Sequence, residues 1–220
     1  MSDSKSLKEQ NAWLIRAAMI AHIVAFAWIA AEPVKLLSLD ARRVAQKLEA
    51  LALPGSASLG IIVIASLLLL GMIPPEWRDR LVHLRWRDPL PGCRAFSKIG
   101  PASSHVDMEA LTARLGKLPE EAAEQNKLFY KIYRTVRDEI GVCDAHRRYL
   151  AARDIATITA LLVIPLPILA YVATHNLGRS VTYGLLLLAI FGFCALAAKN
   201  YSLRMVQHVL ALNSCEMPAE

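Results

Sequence analysis

The sequence predicts an all-α integral membrane protein with four transmembrane helices and a small helical cytosolic domain between the second and third spans. Three observations predict it. Apolar residues make up 55% of the 220, above the roughly 45–50% of an average soluble domain. The excess sits in four windows, Ala17 to Ala31, Leu59 to Ile73, Ile155 to Thr174 and Val181 to Ala198, and the last two contain no charged residue. Those two have the length, about 20 residues at 1.5 Å each, that crosses a hydrocarbon core of roughly 30 Å. Lastly, Lys and Arg lie unevenly around the windows, most of them in the long segment between the second and third.

In chain order, residues 1–33 read as an N-terminal tail and first span, "NAWLIRAAMIAHIVAFAWIAA". Trp13 and Trp28 lie near its ends, where indole rings favour the membrane interface. No small-residue cleavage site follows the apolar run at the right distance, so the window reads as a span and not as a removed leader. Residues 34–55 form an external amphipathic helix. Val34, Leu37, Ala41, Val44, Leu48 and Leu51 recur at helical spacing, and Pro54-Gly55 closes it.

Residues 56–75 are the second span, ended by Ile73-Pro74-Pro75. Residues 76–153 form the basic helical cytosolic domain. A short basic helix comes first, then an irregular connector, "PLPGCRAFSKIGPASSHVDM", broken by proline and glycine. Next come a short helix ended by Gly116, a longer one opened by Pro119 with Leu128, Phe129, Ile132, Tyr133 and Val136 on one face, and a break at Gly141.

The stretch "HRRYLAARD" then runs into the third span, residues 154–175, with no breaker between, so one continuous element is expected to start in water and enter the bilayer. His146, Leu150, Arg153 and Thr157 share one stripe of it. The fourth span is 179–198, and 199–220 read as a C-terminal cytosolic helix and tail.

Orientation follows from basic residues. With both termini cytoplasmic, 20 of the 25 Lys and Arg fall inside, 15 of them between Arg78 and Arg153. A membrane protein with both termini on the cytoplasmic side is expected. The net charge of +6 is accounted for by anionic lipid headgroups, and no nucleic acid partner is expected. Cys93, Cys143, Cys194 and Cys215 all fall on the reducing side or in the membrane, so free thiols are expected.

Candidate chemistry is sparse. His22 is the one ionisable group deep in the first window, and the favoured reading is a neutral ring bonded to another helix. Arg94 and Lys98, with backbone amides near Gly92 and Gly100, are candidates for holding an anion, and His105 and Asp107 complete a ligand or partner loop. His146, Arg147, Arg148, Arg153 and Asp154 mark the membrane-proximal helix. Cys143 and His146 have the spacing of half a zinc site that Cys93 and His105 would complete, although 11 residues separate that second pair. No motif for a nucleophile, nucleotide loop or cofactor is present, and no cofactor is expected.

The hydropathy layout of the whole chain resembles that of small four-helix membrane proteins that bacteria use as effectors in anti-phage defence. The resemblance implies a non-enzymatic protein whose cytosolic part couples a signal or partner to assembly of the spans, as a homo-oligomer, into a pore or membrane-disrupting unit. A membrane-embedded enzyme acting on lipid and a structural subunit of a larger complex are the alternatives.

Overall fold

The computed structural model describes residues 7–30 and 54–215, and among these every regular element is helical. Eight α-helices follow one another: α1 (Leu7–Ala30), α2 (Pro54–Met72), α3 (Pro75–His83), α4 (Met108–Leu115), α5 (Ala122–Val136), α6 (Ile140–Leu162), α7 (Pro165–Thr174) and α8 (Leu177–Cys215). A tight 3-10 turn, Pro91–Arg94, and a wide turn, Ala95–Ile99, lie between α3 and α4. The amphipathic helix expected over 34–53 falls outside the described residues. Pro54-Gly55, expected to end it, are instead the first two residues of α2, where the fixed φ of proline suits a first turn.

Among the described residues two helices are long and apolar enough to cross a membrane, α1 over Glu9–Ile29 and α8 over its 39 residues. A third qualifies if α6 and α7, bent by 45°, count as one span. The third span is therefore jointed just past the stretch expected to be continuous, about Val142 to Ile164. Pro165 and Pro167 bring no N–H, so the carbonyls of Leu161 and Val163 lose their helical partners and the axis turns between the two helices.

The chain divides into two compact units. One comprises Met1–Pro74 and Asp154–Cys194. Its core gathers Met19, Phe26, Leu70, Ile158, Leu162, Leu166, Tyr183 and Leu187. Outside that core, Ile20, Val24, Ile64, Leu68, Leu185 and Phe193 are exposed, which is the surface an apolar solvent satisfies. His22 is buried, and its Nε2 lies 3.1 Å from Thr159 Oγ1. The single Thr159 hydroxyl proton goes to the Ile155 carbonyl at 2.9 Å, so Nε2 of His22 is the donor to Thr159. The Tyr183 hydroxyl donates to the His22 carbonyl at 3.3 Å.

The other unit comprises Pro75–Arg153 and Ala195–Glu220. Phe96, Ile99, Leu111, Phe129, Ile132, Val136, Val142, Val206, Val209 and Leu210 form its core. The apolar face expected on α5 supplies three of these. Helix α4 starts at the Asp107 carboxylate, which accepts from Glu109 N and Ala110 N, and ends at Gly116 with φ 78°. Helix α5 begins three residues after Pro119, because the chain reaches it through Glu121 in an extended conformation. Gly141 lies within the first turn of α6, since the turn from α5 closes earlier, with Glu139 N donating to Val136 O.

Candidate functional site

The connector between α3 and α4 is irregular but not loose. Gln125 of α5, 1% exposed, accepts at Oε1 from Phe96 N, Ser97 N and Ser97 Oγ, each at 3.2 Å. Cys93 N donates to Leu90 O and Gly100 N to Ala95 O. These amides are occupied within the fold, so the expected backbone cradle for an anion is not presented there. Gly92 is needed for close approach: a Cβ at this position would stand 2.4 Å from Asn126 Oδ1 and 2.8 Å from Phe129 Cδ1.

This packing leaves a cavity of about 240 Å³ within the unit. Leu90, Pro91 and Gly92 form one wall; Asn126, Phe129, Tyr130 and Tyr133 of α5 form the second; His146, Tyr149, Leu150 and Arg153 of α6 form the third. Met205 of α8 and Asp79 of α3 complete the lining. The stripe His146, Leu150, Arg153 foreseen from spacing thus supplies three lining residues. Tyr133 stacks between Phe129 and Tyr130, with ring centroids 6.4 and 6.1 Å away, and meets the His146 ring edge-on at 5.5 Å.

The polar side of the cavity is held by an ion pair. Arg153 Nη1 donates to Asp79 Oδ1 at 3.1 Å, and both side chains are nearly sealed from solvent, 6% and 4% exposed. The Tyr149 hydroxyl donates to the same oxygen, and burial beside that carboxylate drives its pKa far above the ordinary tyrosine value. His146 is pushed below the usual histidine range by burial and by the positive charge of Arg153. Burial likewise raises Tyr133. Tyr133 Oη and His146 Nδ1 share a hydrogen bond of 2.7 Å, whose donor is set by the imidazole tautomer.

Comparisons with family models, curated proteins and solved structures return no match. The functional reading therefore rests on the chemistry of the cavity and its surroundings.

The remaining expected residues fall elsewhere. Arg147 and Arg148 both pair with Asp144, at 2.9 and 2.8 Å, and Arg148 also lies over the Tyr201 ring. Those hydrogen bonds hold the Asp144 carboxyl below the usual range. Asp154 is buried and bonded. His105 and Lys98 are exposed, and Asp107 is spent as the cap of α4. Cys93 is buried, with its thiol pushed up first by burial and then by Asp88. Cys93, His105, Cys143 and His146 are not brought together, and among the described residues no group of three or more His, Cys, Asp or Glu is arranged to hold a metal ion.

Sequence reasoning missed Asp79, Tyr149 and Asn126. His83, at the end of α3, has its pKa lowered to about 4 by burial and then by Arg94, Lys199, Arg85 and Arg153. Its Nε2, with Nε of Arg80 and Nε of Arg94, is buried without a hydrogen-bond partner among the described residues.

Proposed function

We propose that this chain is a non-enzymatic protein of the bacterial inner membrane, in which a small ligand or partner side chain held in the aromatic cavity biases assembly of the membrane helices. Four spans are assigned, α1, α2, the jointed α6–α7 pair and α8, with both termini cytoplasmic and anionic headgroups around the basic residues. Assembly as a homo-oligomer into a pore or membrane-disrupting unit would make it a defence effector of the kind its layout resembles.

The observation that carries this reading is the course of α6. His146, Tyr149, Leu150 and Arg153 of this helix line the cavity, and from Ile155 the same helix is apolar. A ligand shifts an assembly equilibrium only by its difference in affinity between two states, and an occupant of this cavity acts directly on α6. The cavity is slightly smaller than the roughly 300–1,000 Å³ of drug-sized pockets, which suits a small or single-ring occupant. The aromatic walls supply area, and the Asp79–Arg153 pair and His146 supply orientation.

The test is membrane potential and dye permeability in expressing cells, with and without phage challenge, for wild type, His146→Ala and Tyr133→Phe. Depolarisation upon challenge that is lost in His146→Ala supports the reading. Unchanged potential and permeability in wild type under challenge removes the pore version, and turnover of lipid without permeability change would favour the enzyme alternative.

A further inference from the structure

Several cationic groups of this unit have a carboxylate partner, and others have none among the described residues. Arg80, Arg147, Arg148 and Arg153 each have a carboxylate partner, in Glu76, Asp144, Asp144 and Asp79 respectively. Arg85, Arg94 and Lys199 pair with none of the described carboxylates. These three come from different parts of the chain, the turn after α3, the end of the 3-10 turn and α8, yet all bear on His83. Arg94 also feels Arg85 directly: burial and then that like charge lower its pKa.

Such an arrangement is costly when nothing negative sits in it. A buried donor without an acceptor costs about 1–3 kcal/mol, more for a charged group, and here His83 Nε2 and Arg94 Nε are both buried and unpartnered. The carboxylates at hand do not serve. Asp79 is engaged by Arg153 and Tyr149, and Asp88 is exposed, held at φ 49° in the turn, where it acts on Cys93. Arg85 and Lys199 are exposed, so the cluster has a solvent-accessible side.

We propose that His83, Arg94, Arg85 and Lys199 form a site for a phosphate group, separate from the aromatic cavity and independent of its role. The guanidinium forks match tetrahedral oxyanions in two-point contact, and the ammonium of Lys199 adds a point charge. The phosphate has two sources, a phospholipid headgroup or a soluble phosphate compound. Trp77 and Trp86, 50% and 75% exposed, lie on either side of His83 and Arg85 in sequence, and exposed indoles of this kind favour the headgroup layer.

The experiment titrates the full-length protein in neutral detergent by thermal shift and calorimetry. One arm uses sodium phosphate against sodium chloride at equal ionic strength. The other uses phosphatidylglycerol in mixed micelles against phosphatidylcholine at the same fraction. A saturable shift with phosphatidylglycerol alone assigns the headgroup, and one with inorganic phosphate assigns the soluble source. In either case Arg94→Gln weakens binding at least tenfold, and Arg85→Gln combined with Lys199→Gln, which alters only exposed side chains, does the same. Lys98→Gln binds as wild type. The proposal is overturned if neither probe saturates, or if the Arg85→Gln/Lys199→Gln protein binds as wild type.

Discussion

Asp79 and Arg153 show what one buried pair does for a site. Each charge is compensated by the other at 3.1 Å, and Tyr149 supplies a further donor to the shared oxygen. Removing one partner of a buried pair typically costs about 3–5 kcal/mol. Asp79→Ala is therefore expected to lower Tm in detergent far more than Asp138→Ala, whose carboxylate is in an exposed pair with Arg137. Equal shifts for the two variants would refute this. His83 supplies a pH prediction. Its folded pKa, about 4, lies below the unfolded 6.5, so between these values the unfolded chain binds a proton that the folded one refuses. Stability is full above pH 6.5 and falls as pH drops toward 4. His83→Gln should flatten that slope in Tm measured against pH. At this scale the sequence is legible only where spacing is local. His146, Leu150 and Arg153 share a stripe by periodicity and meet in the cavity wall, but the partner of Arg153 is 74 residues away, and no periodicity links α3 to α6. What sets His83 apart is equally nonlocal, burial first and then cations on other segments.

Helix ends tell a more readable story. Gly116 was foreseen as the stop of α4, and it holds φ 78°, ψ −158°, a conformation that side chains oppose. No atom lies within 4 Å of where its Cβ would be, so the effect of Gly116→Ala is backbone strain alone, about 1–3 kcal/mol. Asp107→Ala should cost about 1 kcal/mol through loss of the cap, and Asp107→Asn much less. Denaturant titration of the three variants separates these cases, and equal losses for Asp107→Ala and Asp107→Asn would contradict the cap. Asp107 had been read as a ligand-loop residue because aspartate at a loop end serves both uses, and only the two amides it accepts decide between them. Proline was the harder signal. Pro54 opens a helix, and Pro165 and Pro167 joint the third span just where its expected continuous stretch ends, because the same ring either starts a helix or breaks one according to what precedes it.

For the whole molecule, hydropathy was the most legible feature and topology the least. The apolar windows marked where helices run, and α1, α8 and the α6–α7 pair have the length and composition to cross a bilayer. Number of spans, sidedness and assembly depend on the membrane itself. The expected outcome in nanodiscs is a discrete homo-oligomer by native mass measurement, and a monomer at every protein concentration would remove self-assembly from the proposed function. Trp77 and Trp86 give such work an internal gauge. They are two of only four tryptophans, Trp13 and Trp28 being the others, and their rings meet edge-on with centroids 6.1 Å apart. Two indoles at this separation couple their excited states, so the pair should give a split circular-dichroism band in a protein carrying Trp13→Phe and Trp28→Phe. Any event that parts the first turn of α3 from the turn beyond its end will collapse that band, which makes motion in this region visible by its optical activity without an attached dye.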